Sequence, residues 1–166
     1  MAAARQLWLL RHADAEPHGT RVDAERRLTE RGVKQAEVAG LALARMGMGF
    51  AAALSSPKAR ARETAELALA QMPAEQAPGL ELHEPLAGDF QAPQALEALA
   101  ATGRESPLLL IGHEPDLSGI VGELTGGRVD LKKGGLAVVR LGGAGSELVL
   151  LLRPAELALI AGATLL

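Results

Sequence analysis

Leu7-Trp8-Leu9-Leu10 is an apolar run that stops abruptly at Arg11-His12. Four apolar residues are enough for a buried strand and too few for a helix. The residues beyond are polar and include Glu16-Pro17 and His18-Gly19, so the chain leaves the sheet there. Such a strand delivers its last residues to the edge of a sheet. In open α/β sheets that edge, outside the carboxyl ends of the strands, is where ligands bind. Two later runs repeat the arrangement. Phe50 to Leu54 is closed by Ser55-Ser56-Pro57, and Leu108-Leu109-Leu110-Ile111 runs into Gly112-His113-Glu114-Pro115-Asp116.

The segments between these runs read as helices. Leu28-Thr29-Glu30 marks a start, with Thr29 as the cap and Glu30 in the first turn. Val33, Ala36, Gly40 and Leu43 follow at helical spacing, and Gly47 and Gly49 end the helix near Met46. Ser56 at the cap and Pro57 at the first helical position predict a second helix, with Arg60, Thr64, Leu67 and Gln71 along one side. Pro73 and Pro78 bracket a loop, and Leu80 to Leu82 reads as a short strand. Pro93 to Ala101 predicts a helix with Leu96 and Leu99 on its buried side, and another follows His113 as far as Leu124, stopped by Thr125-Gly126-Gly127. Leu136 to Leu141 and Glu147 to Leu152 read as strands joined by a Gly142-Gly143-Ala144-Gly145 hairpin, and Pro154 opens a last helix. The expected fold class is α/β: a three-layer sandwich, its central sheet mostly parallel with an antiparallel edge. At 166 residues, a single domain over 1–166 is expected.

Composition removes several chemistries. No cysteine is present, which excludes disulfides, cysteine zinc sites and thiol nucleophiles and fits a reducing compartment. The 17 basic and 20 acidic residues, with only two Phe and one Trp, form no basic and aromatic stripe, so nucleic acid is not expected as a partner. Met1 to Gln6 does not read as a signal peptide. The apolar end from Leu157 to Leu166 is half of the roughly 20 residues a membrane span needs and reads as an element docked on the core. A soluble, cytoplasmic protein without a membrane partner is expected.

If the three strands are parallel, their junctions share one crevice holding Arg11, His12, Arg60 and His113. Each residue alone would pass as structural; three junctions of the same character do not. Arginine forks match phosphate oxygens, and helix N-termini add oriented N–H groups. A neutral histidine attacks phosphorus, and a second donates to a phosphoryl oxygen. The set suits a dianionic phosphoryl group.

These stretches resemble a known family. Leu9-Leu10-Arg11-His12-Ala13-Asp14-Ala15, Leu28-Thr29-Glu30-Arg31-Gly32, Ser55-Ser56-Pro57-Lys58-Ala59-Arg60-Ala61-Arg62-Glu63-Thr64-Ala65 and Ile111-Gly112-His113-Glu114-Pro115 are similar, in order and spacing, to the histidine phosphatase superfamily, which has the phosphoglycerate mutase-like fold. The short length and the ending Gly134-Gly135-Leu136 to Leu152-Arg153-Pro154 resemble its small phosphohistidine phosphatase branch, the SixA type. The resemblance implies a covalent mechanism in which His12 becomes phosphorylated and Arg11, Arg60 and His113 hold the phosphoryl oxygens. It implies catalytic roles for His12 and His113 and phosphate binding by Arg11 and Arg60. Ala13 departs from the family's usual glycine, and its methyl would crowd a phosphate if the backbone approached closely there.

No metal and no cofactor are expected, since the chain supplies its own cations. The expected substrate is a phosphorylated protein carrying phosphohistidine. The alternatives are a small phosphorylated molecule hydrolysed as a phosphomonoester, or a phosphate-binding regulatory module without turnover. Phosphohistidine leaves as an imidazole of pKa about 6.5 and needs little acid help, whereas an alkoxide needs a strong donor. Larger family members place an acid in a Leu-x-Glu segment with glycine four residues on. Leu82-His83-Glu84-Pro85-Leu86-Ala87-Gly88 has that spacing, which makes Glu84 a candidate, although a surface carboxylate is the expected role. Asp14 and Asp89 are weaker candidates, and His18 and His83 read as surface residues. The loops Asp14–Arg27 and Met72–Pro93 are too short to enclose a small sugar, so an open site is expected.

Overall fold

The computed structural model describes residues 5–103 and 107–165; part of the N-terminal segment read above, Met1 to Ala4, and the last residue, Leu166, lie outside the described residues. β1 (Arg5–Arg11) runs parallel to β4 (Leu108–Gly112) and antiparallel to β5 (Leu136–Gly142). β2 (Ala52–Ser55) runs parallel to both β4 and β3 (Leu80–Leu82). β6 (Gly145–Leu152) pairs with β5 across the expected hairpin. The six strands form one sheet in the order β3-β2-β4-β1-β5-β6. The α/β class, the parallel body and the antiparallel edge are as the sequence predicts.

Both faces of this sheet are covered, which is why its central strands are apolar without alternation. Successive side chains of a strand point to opposite faces. Trp8 and Leu10 thus pack with Leu109 and Ile111 under α1 (Glu30–Arg45), α2 (Ala59–Ala70) and α5 (Pro154–Ala161). Leu7 and Leu9 pack with Leu108 and Leu110 under α3 (Ala92–Ala101) and α4 (Asp116–Thr125). Each fully buried leucine contributes about 1.5–3 kcal/mol relative to exposure.

The abundant small residues have a packing role. Ala61, Ala65 and Ala68 of α2 are fully buried, and a Cβ on Gly40 would lie 2.0 Å from the Ala68 carbonyl oxygen. A Cβ on Gly32, in the first turn of α1, would lie 1.9 Å from the carbonyl oxygen of Asp14. Thr29 caps α1 as predicted, its hydroxyl accepting from the Gly32 amide at 3.1 Å.

Two local expectations need correction. Ser56 does not cap α2, which begins at Ala59 after Lys58. The Ser56 amide still donates to Ile111 O of β4 at 3.0 Å, so the chain remains extended there. Leu96 is not on the buried side of α3: Ala92, Ala95 and Leu99 form that stripe, and Leu96 lies one residue round the helix, 38% exposed. Among the described residues, no helix is long and apolar enough to cross a membrane.

Candidate active site

The parallel register brings the ends of β1 and β4 side by side, with Arg11 opposite Gly112 and the His12 amide donating to Gly112 O at 3.0 Å. His113 follows directly, and α2 adds Arg60 from its first turn. Arg11, His12, Arg60 and His113 together line one cavity of about 220 Å³. His12, Arg60 and His113 are buried, and the two imidazole centroids are 5.2 Å apart.

The hydrogen bonds define the state of each ring. His12 Nδ1 lies 2.8 Å from the carbonyl oxygen of Ala13. A carbonyl only accepts, so Nδ1 carries the proton and Nε2 keeps its lone pair. Burial pushes the His12 pKa down to about 4, and Arg60, Arg11 and Lys133 push the same way, against the Ala13 hydrogen bond. His113 Nε2 lies 2.7 Å from Ser56 Oγ, which already accepts from the Lys58 amide at 3.2 Å. The serine hydroxyl can donate to Nε2, and in that tautomer the ring proton sits on Nδ1, the buried nitrogen without a partner. Burial first, then the neighbouring His12, Arg60 and Lys58, push the His113 pKa down to about 3. Both imidazoles are neutral at pH 7.

The arginines are anchored by their outer nitrogens. Arg11 Nη1 donates to Leu131 O at 2.9 Å. Arg60 Nη1 donates to Asp23 O at 2.8 Å, and its Nη2 reaches Asp23 Oδ2 at 3.4 Å. Asp23 also meets Lys58 at 3.1 Å and Arg26 at 3.0 Å. Burial pushes its carboxyl up, but the hydrogen bonds from Lys58 and Arg26 and the charge of Arg60 outweigh this and hold it far below the usual range. Among the described residues, four buried side-chain polar atoms lack a partner: Arg11 Nε, Arg60 Nε, His113 Nδ1 and Gln76 Oε1. Three of them are nitrogens of side chains lining this cavity.

The other candidates are elsewhere. Glu84 is exposed in a short 3-10 turn, and neither it nor exposed Asp89 lines the cavity. Asp14 accepts from Thr29 Oγ1 at 2.7 Å, faces Lys133 at 3.5 Å, and lines an adjoining groove instead. His18 is exposed, as read, yet it borders the cavity; His83 does not. Ala13 is fully buried, has no positive φ and donates its amide to Thr64 Oγ1 at 3.0 Å. Its methyl is not among the groups that line the cavity.

Lys133, Arg26 and Asp23 belong to the surroundings of the site and carry no site signal in the sequence; Ser56, which reads there as a helix cap, joins them through His113. Lys133 arrives because the Gly134 amide donates to the carbonyls of Arg11 and His12, at 3.2 and 3.0 Å. Gly134 has a φ of +74°, so the Lys132-Lys133-Gly134-Gly135 string was the available signal of a tight turn. No three His, Asp or Glu side chains converge as metal ligands among the described residues.

A sequence profile of the histidine phosphatase superfamily (branch 1) matches residues 7–123. An uncharacterized protein of Picosynechococcus sp. is 32% identical over 146 residues, which span 84% of this chain and 87% of that protein. Among solved structures, SixA of Agrobacterium tumefaciens superposes with a TM-score of 0.76 at 23% identity, covering 93% of this chain and all of that one. The protein histidine phosphatase SixA complexed with tungstate gives a TM-score of 0.75 at 23% identity over 92% of this chain and 99% of that one. Phosphoglycerate mutase from Bacillus anthracis gives 0.69 at 16% identity over 95% and 96%. At these identities the structures speak for the fold, and the profile speaks for the family and supports phosphatase activity. The protein therefore belongs to the histidine phosphatase superfamily, branch 1, with the phosphoglycerate mutase-like fold that SixA shares.

Proposed function

We propose that the protein hydrolyses phosphohistidine on a protein substrate, through a covalent phosphohistidine at His12. The observation that carries this reading is one cavity bordered by a buried imidazole with a free Nε2 lone pair and by three side chains with unpartnered buried nitrogens. In the first step His12 Nε2 attacks phosphorus in line. The bond from phosphorus to the substrate nitrogen breaks, and that nitrogen keeps the electron pair and takes up a proton from water. The Nδ1 proton of His12, held on Ala13 O, stabilises the charge arriving on the ring. Arg11, Arg60 and the Nδ1–H of His113 hold the phosphoryl oxygens. Water then attacks the phosphoenzyme, releasing inorganic phosphate and neutral His12.

The substrate class is supported by the carboxylates near the cavity. Glu16 accepts from the Arg27 amide at 2.7 Å and from Arg21 Nε at 2.9 Å, and its carboxyl pKa is lowered, first by that amide. Glu114 accepts from the amide and the hydroxyl of Ser118. Both are engaged as acceptors, whereas an alkoxide leaving group requires a carboxylic acid poised to donate. An imidazole leaving group does not.

Incubation with phosphoramidate should give an acid-labile, base-stable phosphoenzyme that is absent in His12→Ala. Undiminished turnover by His12→Ala would overturn the mechanism. A kcat/KM for a simple phosphate ester above that for a phosphohistidine peptide would overturn the substrate class.

A further inference from the structure

Beside the cavity lies a second, larger depression of about 640 Å³. Its walls include Arg31 and Gln35 of α1, Lys132 and Lys133 before β5, and Arg153 at the start of α5. It shares Arg11 and Lys133 with the cavity, so the two adjoin. Its charge is opposite to that of the whole chain, which carries a formal net charge of −3. Asp14 is the carboxylate in its lining. Three of its cations have local partners: Lys133 faces Asp14, Lys132 faces Asp130 and Arg153 faces Glu156. Arg31 has no carboxylate within ion-pair distance among the described residues. Among the described residues, five cations against three carboxylates leave an excess of positive charge. The lysines and Arg153 are about half exposed or more, so the groove is open to a macromolecule.

We propose that this groove receives an acidic segment of the phosphorylated protein next to its phosphohistidine. The inference rests on the function proposed above and adds a recognition element to it. A phosphoryl group seated between Arg11 and His12 has the groove as its immediate neighbour, because Arg11 borders both. Asp and Glu side chains on the same partner surface then meet Arg31, Lys132 and Arg153. Such exposed pairs steer encounter and set register, and they weaken as salt screens them.

The test uses three substrates: phosphoramidate, a phosphohistidine peptide flanked by Asp and Glu, and the same peptide flanked by Ser and Gln. The variant is the double change Arg31→Glu with Lys132→Glu. Neither residue lines the cavity, and a glutamate near the N-terminus of α1 is compatible with its dipole. Wild type should prefer the acidic peptide, and that preference should fade as salt rises. The double variant should lose about tenfold in kcat/KM on the acidic peptide, through KM rather than kcat. Phosphoramidate turnover should be unchanged, which also reports that the variant folds. Equal kcat/KM for both peptides in wild type, or an unchanged KM in the variant, would overturn the groove assignment while leaving the phosphohistidine reading intact. Turnover of phosphoramidate with neither peptide accepted would overturn the phosphohistidine reading, and the groove assignment with it. Stronger competition by single-stranded DNA than by poly-glutamate would assign the groove to nucleic acid and overturn the proposal.

Discussion

The cavity and the groove are both cationic, and they hold their charge differently. In the cavity, Arg11 and Arg60 are tied by outer nitrogens to backbone carbonyls, and Arg60 is almost fully buried. In the groove, Lys132, Lys133 and Arg153 extend into solvent beside surface carboxylates. Buried, fixed charge needs no reorganisation when an anion forms, and it is little screened by salt. Exposed charge is cheaper to carry and weaker in any one contact. On the roles proposed above, the contrast teaches that the same residue types can serve chemistry in one place and recognition in the other, according to what holds them.

The largest effect that would break this comparison is on His12. His12→Ala should reduce turnover at least about 10,000-fold and abolish the phosphoenzyme, read by acid and base lability of the label. Arg60→Ala comes next, with a loss of about 100- to 1,000-fold in kcat. Arg60→Lys should not restore it, because a point charge cannot keep the contact with Asp23 O while presenting a second nitrogen.

Gly32→Ala probes the partition between the two regions. The new methyl meets the carbonyl of Asp14, whose carboxylate faces Lys133. A loss of about 1–3 kcal/mol in unfolding free energy is expected in denaturant titration. Gly49→Ala, which meets no atom within 4 Å, should stay within about 0.5 kcal/mol.

The pH dependence separates the buried histidines from the exposed charges. His12 and His113 have pKa values of about 4 and about 3 in the fold, against 6.5 when unfolded. Between pH 6.5 and about 4 the unfolded chain binds more protons than the native one, so these two groups lower stability as pH falls through that window. Above about pH 7.5, one unit beyond the unfolded value, they contribute almost no slope. Proton NMR should show neither ring titrating between pH 8 and 5, and a midpoint near 6.5 for either would refute the buried, neutral pair. The smallest effect is at Glu84, which is exposed and outside the cavity: Glu84→Gln should leave turnover of both phosphoramidate and an ester unchanged.

Much of this was legible in residue order. Leu7–Leu10 and Leu108–Ile111 announced buried parallel strands because only strands covered on both faces are apolar without alternation. The positions of Arg11, His12, Arg60 and His113 followed from strand ends and a helix start. Ser56 was misassigned because serine before proline is an ordinary cap signal, and nothing local reveals that its main chain pairs with Ile111 or that its hydroxyl meets His113. Leu96 was misplaced because alanine-rich helices leave the buried stripe undefined until their neighbours are known.

By itself, then, the sequence determined the strand and helix order, the identity of the four residues at one sheet edge, and the absence of thiol chemistry. These depend on local pattern and on residue type, and both are written along the chain. Tertiary structure alone decided which nitrogen of His12 is free and that Glu84 stands outside the cavity. It also decided that Asp23 anchors Arg60 and that Lys132 and Lys133 join Arg31 and Arg153 in a groove. Those facts are distances between residues far apart in the chain, set by how two helical layers close on the sheet.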